Sequence, residues 1–229
     1  MIIVDKLVAG YGNRMVLEEL SLSLEAGMIH GLVGLNGSGK STFLKCLCGL
    51  IQPVSGYILQ NKMPFSRKNI SFLETEPYLY HGITGTEYLS LFKSESGATF
   101  NVEEWQNLFN IPINQLVESF STGTKKKLAI LGILKSDKQV LLFDEPFNGL
   151  DIESSRILTS ILKKLKEQNK TIIVTSHILE TLTSMCDQIH YLKEGVIKTT
   201  FESATVGSIN KAIFHELDEE IKRRIDKLL

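Results

Sequence analysis

The stretch "GLNGSGKST", residues 34–42, constrains this chain more than any other segment. It matches the pattern G-x-x-x-x-G-K-[ST] and directly follows the apolar run 28–33. Glycines allow backbone N–H groups to turn inward around phosphate oxygens without Cβ clashes. A helix that begins near Lys40 would present its positive N-terminal end to the same anion. The segment therefore predicts a phosphate-binding loop between a strand and a helix.

The loop pattern also assigns roles to single residues. We expect Lys40 to reach the β- and γ-phosphates of a nucleotide and Ser41 to ligate Mg²⁺. The alternative, an ordinary glycine-rich turn, is disfavoured by the predicted strand before the loop and the predicted helix after it. The other residues expected to bind the nucleotide here are Gly34, Asn36, Gly37, Ser38, Gly39 and Thr42.

Two further apolar runs end in polar residues. "VLLFDE" places Asp144 and Glu145 at the carboxyl end of a predicted strand, where α/β proteins bind ligands. Asp144 suits Mg²⁺, and Glu145 could position or deprotonate an attacking water. "IIVTSH" ends in His177, which could hydrogen-bond near the γ-phosphate or be a structural histidine at a helix start.

The order of predicted elements favours an α/β protein with a parallel sheet. Short strands fill the first third of the chain, helical spacing covers Thr84–Phe92 and Val102–Phe109 and resumes after Gly123, and then apolar strands alternate with a helix, Ile152–Gln168. We therefore expect a single domain, with a strand-rich core in residues 1–76 and 136–205 that is interrupted by a helical subdomain in 77–135. Residues 206–229 form a predicted helical tail. Its apolar stripe consists of Leu217, Ile221, Ile225 and Leu228.

Composition and missing patterns exclude several classes. The formal net charge of −1 disfavours a nucleic-acid binder, so the run Lys125–Lys127 is interpreted as a solvated helix face. The guanine-reading pattern N-K-x-D is missing, which weakens a GTPase interpretation. The sequence contains neither an apolar run long enough to span a bilayer nor a signal-like N-terminus, so we expect a cytoplasmic location. The three cysteines lack metal-ligand spacing and are expected to be reduced.

Six motifs in order resemble those of the ATP-binding subunit of an ABC transporter, from Val4 to about Thr200. They are "GYG", "GLNGSGKST", "FSTG", "LLFDEP", "NGLD" and "TSH". The resemblance implies a P-loop NTPase of the ABC ATPase type, with a mixed β core that contains a parallel sheet and a helical subdomain insert. It also implies ATP and Mg²⁺ as cofactors.

The resemblance implies roles for residues outside the loop. Tyr11 would stack on adenine, Asp151 would belong to the D-loop, and His177 would be the switch histidine. Two such domains would pair head to tail, as a homodimer or with a similar ATPase subunit. Ser121 and Gly123 would then contact the γ-phosphate of the ATP bound to the partner.

The chain departs from the family pattern at two places. Thr75 stands where a glutamine usually follows the "ISFL" strand, which makes direct Mg²⁺ contact by this residue doubtful. The signature, usually LSGGQ, has Phe120, Thr122 and Thr124 at its first, third and fifth positions. Ser121 and Gly123, which phosphate contact requires most, are retained.

We therefore expect ATP hydrolysis that energises an ABC transporter of the exporter type through a separate transmembrane permease subunit. The protein would lie on the inner face of the cell membrane, held by that partner, and no nucleic-acid partner is expected. The alternative is a soluble ABC ATPase that acts on ribosomes, DNA or cofactor assembly. A catalytically inactive binding module would conflict with intact Lys40, Asp144, Glu145 and His177.

Overall fold

The computed structural model describes residues 1–97 and 99–202, together with the isolated positions 222 and 226. The predicted tail at 206–229 and its apolar stripe therefore lie outside the described residues, apart from those two positions. The strands are β1 (Ile2–Tyr11), β2 (Arg14–Leu24), β3 (Ile29–Val33), β4 (Ser55–Gln60), β5 (Met63–Pro64), β6 (Ile70–Leu73), β7 (Val140–Phe143), β8 (Thr171–Ser176), β9 (Gln188–Lys193) and β10 (Val196–Glu202). The helices are α1 (Lys40–Cys48), α2 (Gly85–Ser90), α3 (Val102–Phe109), α4 (Thr122–Ser136), α5 (Ile152–Glu167) and α6 (Leu179–Thr183).

The strands form two sheets. A six-stranded sheet has the order β10-β9-β3-β8-β7-β6, in which β9 to β6 are parallel and β10 runs antiparallel to β9. Every residue of β3, β7 and β8 is buried, as expected for parallel strands that are covered on both faces. The second sheet is antiparallel, with the order β2-β1-β4-β5. The predicted mixed α/β core is confirmed.

Helix α1 packs in the core between the two sheets. Phe43 and Leu44 of this helix are fully buried in one cluster with Leu20 of the antiparallel sheet and Leu142 and Ile173 of the six-stranded sheet. This packing holds the start of α1 at the carboxyl end of β3. The segment that joins them, residues 34–39, is the predicted phosphate-binding loop.

Helices α2, α3 and α4 form a helical insert between β6 and β7. Helix α2 begins with a capping box, in which Thr84 accepts from the N–H of Glu87 and the Glu87 side chain accepts from the N–H of Thr84. Buried Phe109 and Phe120 connect the insert to the cluster that also contains Phe143 of β7. The insert therefore shares one apolar core with the six-stranded sheet.

Strands β9 and β10 were not predicted from the sequence. The residues of β9, "QIHYLK", mix polar and apolar side chains without alternation. The turn that follows has positive φ at Glu194 (52°) and Gly195 (76°), and glutamate is not among the residues that usually mark such hairpin turns. Among residues 1–97 and 99–202, no helix has both the length and the apolar character that crossing a membrane requires.

Candidate active site

The phosphate-binding loop has a backbone that depends on glycine. Gly37 and Gly39 have φ of 83° and 111°. A Cβ at Gly34 would lie 2.3 Å from the carbonyl oxygen of Leu192 and 2.6 Å from Oγ of Ser38. The loop therefore lies against β9 at a distance that only glycine permits, and it leads directly into α1.

The loop and its lysine offer donors to an anion. Lys40 Nζ donates to the carbonyl oxygens of Gly34 (2.7 Å) and Leu35 (3.3 Å), so the ammonium lies over the loop. Among the described residues, the Ser38 hydroxyl is buried without a hydrogen-bond partner within the chain. An orphaned buried hydroxyl, a buried ammonium and a helix N-terminus on one loop fit a phosphate group.

The Glu145 carboxylate lies between two side chains that come from distant parts of the chain. Its Oε1 is 3.8 Å from Lys40 Nζ, and its Oε2 is 3.0 Å from His177 Nδ1. Because an ionised carboxylate only accepts, Nδ1 of His177 is the donor. Burial lowers the pKa of Lys40, and the negative charges of Glu145 and Asp144 partly offset that effect. Residues from three separate motifs thus meet at one point, where Lys40 and Glu145 are buried and His177 is exposed.

Thr175 organises the two acidic residues, although the sequence analysis did not select it. Its Oγ1 accepts from the N–H of Glu145 (2.8 Å) and donates to Oδ1 of Asp144 (2.7 Å). Thr175 is fully buried in β8, next to β7. The available signal was a hydroxyl directly after the apolar run 172–174, two residues before His177.

The interpretation of residues 125–127 as a solvated face is wrong for Lys126. Its side chain is buried, and Nζ donates to the carbonyl oxygen of Glu145 at 3.0 Å. The helical spacing of α4 could have shown this, because Lys126 shares a face with Ile130 and Ile133 at i+4 and i+7. The contact connects the signature helix to the acidic pair.

The signature segment and the start of α5 form a second cluster. Ser121 caps α4 by accepting from the N–H of Thr124 at 3.1 Å, and a Cβ at Gly123 would lie 2.6 Å from the carbonyl oxygen of Gly149. Asp151 caps α5 and pairs with Lys127 at 2.8 Å between Oδ2 and Nζ. The hydrogen bond from Lys127 lowers the pKa of Asp151. Lys127 is therefore an ion-pair partner, which also corrects the solvated-face interpretation.

The predicted site residues thus fall into groups. Lys40, Asp144, Glu145 and His177 meet at the carboxyl ends of the central strands, with Thr175 and Lys126 as additional contacts. Ser121, Gly123 and Asp151 lie in the second cluster. Exposed Tyr11 ends β1, and exposed Asn36 and Gly37 form the tip of the loop. Of the remaining loop residues, Ser41 is half-buried and Thr42 is buried.

Thr75 lies just beyond β6 between two acidic neighbours. It is half-buried. Glu74 lies within 3.7 Å of Lys45 Nζ in α1, and the negative charge of Glu76 acts on Lys126. The segment that carries Thr75 is therefore electrostatically connected to both helices of the site.

Comparisons with known proteins agree on one family. Residues 17–148 match the family model described as ABC transporter. The lantibiotic transport ATP-binding protein SrtF of Streptococcus pyogenes is 31% identical over 208 residues, which cover 86% of this chain and 89% of that protein. The SkfA peptide export ATP-binding protein SkfE of Bacillus subtilis is 29% identical over 204 residues, or 84% and 85% of the two chains. A solved ATP-binding subunit of an ABC transporter superimposes with a TM-score of 0.80 at 26% identity, covering 97% of this chain and 99% of that one.

Proposed function

We propose that Glu145 is the catalytic carboxylate of this chain, which belongs to the ABC transporter family. The chain is an ATP-binding subunit that hydrolyses ATP to energise transport. The observation that carries this proposal is the position of the Glu145 carboxylate between Lys40 Nζ and His177 Nδ1. A carboxylate that accepts from a histidine and lies beside a phosphate-binding ammonium is placed where an attacking water must be oriented.

Each of the surrounding residues has a distinct task in the proposed reaction. Lys40 stabilises negative charge on the β- and γ-phosphates, and its burial strengthens that interaction. His177 fixes the orientation of the Glu145 carboxylate through the 3.0 Å hydrogen bond. Thr175 holds Asp144 and Glu145 at a fixed spacing. The chain thus orders the reacting groups before the reaction begins, and preorganisation of this kind is a main source of catalytic rate.

Mg²⁺ has suitable ligands at this site. Hydroxyl and carboxylate oxygens are the groups that Mg²⁺ prefers, and Ser41 and Asp144 supply one of each. The bound ion would neutralise the charge of the phosphates and of the leaving group. The hydrogen bond between Asp144 and Thr175 orients the carboxylate for this role.

Nucleotide binding would use both clusters in a pair of subunits. Tyr11 is 53% exposed and available to stack on adenine. Ser121 is exposed at the start of α4, and this N-terminal end of the helix can contact the nucleotide of a second subunit. The pair is a homodimer or a dimer with a similar ATPase subunit. The ATP-binding core comprises residues 1–76 and 136–205, the helical subdomain 77–135, and the C-terminal tail 206–229.

The proposed docking surface for a membrane-spanning permease subunit consists of residues that come after Thr75 in the sequence. Tyr78, Tyr80 and Leu91 are each more than half exposed and line a groove of about 640 Å³. Apolar and aromatic side chains grouped in a groove are typical of protein–protein contacts. A permease bound there would hold this chain at the inner face of the cell membrane. The glutamate neighbours of Thr75 would then lie between the permease and the nucleotide.

Transport by this system is proposed to be export. The degenerate, lysine-rich signature is more typical of exporter subunits than of nutrient importers. A relative that shares 29% identity over 84% of this chain acts in peptide export, which supports the same direction.

The partner can be captured with the Glu145→Gln variant, which keeps the shape of the site but cannot act as a base. We expect it to bind MgATP with turnover reduced at least about 100-fold. Affinity purification of this variant from detergent-solubilised native membranes with MgATP should recover a protein with several membrane spans in stoichiometric amount. Glu153→Gln, an exposed glutamate in the first turn of α5, is the matched control and should turn over as wild type.

Two results would contradict the proposal. Wild-type turnover by Glu145→Gln would show that Glu145 is not the catalytic carboxylate. Recovery of ribosomes, DNA or soluble proteins alone would favour an ABC ATPase that acts on a non-membrane assembly.

A further inference from the structure

Glu145 has a backbone conformation that it would not adopt by itself. Its φ is 49°, in the left-handed region that residues with a Cβ rarely occupy. The next residue is Pro146, and a following proline restricts the backbone of the preceding residue further. Such a conformation persists only where the surrounding structure holds it.

Both backbone polar groups of Glu145 are held. Its N–H donates to Thr175 Oγ1 at 2.8 Å, and its carbonyl oxygen accepts from Lys126 Nζ at 3.0 Å and from the N–H of Asn148 at 3.3 Å. Lys126 thus provides the shorter of the two bonds to the carbonyl. It does so from α4, which belongs to a different part of the chain.

Burial of the Lys126 ammonium carries a desolvation cost. Lys126 is 2% exposed, and burial lowers its pKa, while the carboxylates of Glu145, Asp144 and Glu76 favour its charged form. An apolar side chain of similar volume would fill the same space without the desolvation cost. The contact with Glu145 and the surrounding acidic charge account for a lysine at this position.

We infer that Lys126 is a positioning residue that holds the backbone of Glu145, so that the Glu145 carboxylate meets Lys40 and His177. This inference depends on the catalytic role proposed for Glu145. Lys126 lies five residues after Ser121 on the same helix, so a displacement of the signature helix also displaces the carbonyl of Glu145. The segment that faces a partner's nucleotide is therefore mechanically connected to the carboxylate that serves the chain's own nucleotide.

The test compares three lysine variants. Lys126→Met removes the ammonium but keeps the volume, Lys126→Gln keeps an N–H donor, and Lys125→Met changes the neighbouring lysine, which lacks the contact with Glu145. For Lys126→Met we expect kcat to fall roughly 10- to 100-fold, because small misplacements of a reacting group have effects of this size. KM and ATP affinity should stay within about twofold. Lys126→Gln should give an intermediate kcat, and Lys125→Met the wild-type value.

Folding is monitored in parallel by thermal unfolding, and kcat is expressed per folded, ATP-binding chain. An unchanged kcat for Lys126→Met on that basis would overturn the inference. A loss of kcat in Lys125→Met as large as that in Lys126→Met would overturn it as well. If Lys126→Met does not fold, Lys126→Gln decides: a reduced kcat with unchanged KM supports the inference, and a wild-type kcat contradicts it.

Glu145→Gln, measured beside them, separates the two proposals. Wild-type turnover in Glu145→Gln would contradict the catalytic role of Glu145 itself. Loss of turnover in Glu145→Gln together with wild-type turnover in Lys126→Met would contradict only the positioning role of Lys126.

Discussion

His30 Nδ1 and His190 Nε2 lie 3.2 Å apart, between the adjacent strands β3 and β9 in the buried part of the six-stranded sheet. The Glu25 carbonyl can only accept, so His30 Nε2, 2.9 Å away, must donate to it. With both rings neutral, His30 Nδ1 accepts from His190 Nε2, and the Thr200 hydroxyl donates to His190 Nδ1 at 2.9 Å. This hydrogen-bond chain satisfies every ring nitrogen while both histidines are uncharged.

The histidine pair predicts a loss of stability in mild acid. Burial lowers the pKa of His30, and burial together with the neighbouring imidazole lowers the pKa of His190 to about 3. In the unfolded chain both rings take up protons near pH 6.5. In the folded chain their lowered pKa values keep the rings neutral to lower pH. The unfolded state therefore binds more protons below pH 6.5. Each histidine then lowers the free energy of unfolding by up to about 1.4 kcal/mol per pH unit as pH falls below 6.5. Urea unfolding at pH 7.5, 6.5 and 5.5 measures this slope.

Two variants identify the source of that slope. His190→Gln removes one of the buried titrating groups and should make the slope smaller. His81→Gln changes an exposed histidine and should leave it as in wild type. A slope that is unaffected by His190→Gln would assign the acid sensitivity to other groups.

Lys40→Ala tests the phosphate-binding loop. Hydrogen bonds to charged groups contribute about 1.5–3 kcal/mol, so removal of the ammonium should weaken MgATP binding roughly 10- to 100-fold. Isothermal titration with MgATP measures the affinity. Lys45→Ala, in the same helix but paired with Glu74, should retain wild-type affinity. Equal affinities for all three proteins would contradict the role of the loop.

Thr175→Val tests the connection between the two acidic residues. Valine has nearly the same shape but leaves the Glu145 N–H and the Asp144 carboxylate without the hydroxyl that they share. We expect a loss of about 1–3 kcal/mol in the free energy of unfolding, because buried polar groups lose a partner, together with a lower kcat. Thr175→Ser retains the hydroxyl and should restore most of both quantities. Urea unfolding and steady-state ATPase assays provide the measurements.

Gly34→Ala and Gly37→Ala separate two reasons for glycine in the loop. At Gly34 the new Cβ would collide with the Leu192 carbonyl, and so β9 or the loop must move. At Gly37 no described atom lies within 4 Å of the new Cβ, and the cost is that of a positive φ, about 1–2 kcal/mol. Gly34→Ala should therefore destabilise the protein more and reduce ATP affinity more. The reverse order in unfolding and titration experiments would contradict this geometry of the loop.

The motifs with local causes were predictable from the sequence. The glycine loop before Lys40 follows from φ requirements and from a helix start, and Asp144 and Glu145 follow from an apolar run that ends in acids. Helix α3 was predicted with its observed bounds, Val102–Phe109, because its capping and spacing are local. Family membership followed from the order of these motifs, and the comparisons confirm it.

Contacts between distant segments were decided only by the tertiary structure. Sequence spacing located Lys40, Glu145 and His177 at strand ends, but the parallel pairing of β3, β8 and β7 brings them together. The same pairing places Thr175 between Asp144 and Glu145. The burial of Lys126 required α4 to lie beside β6, where Lys126 reaches the Glu145 carbonyl, and a run of three lysines by itself indicates only charge. Local patterns thus determine which residue types are present at this site, while hydrogen-bond partners and desolvation depend on packing between segments that the sequence separates.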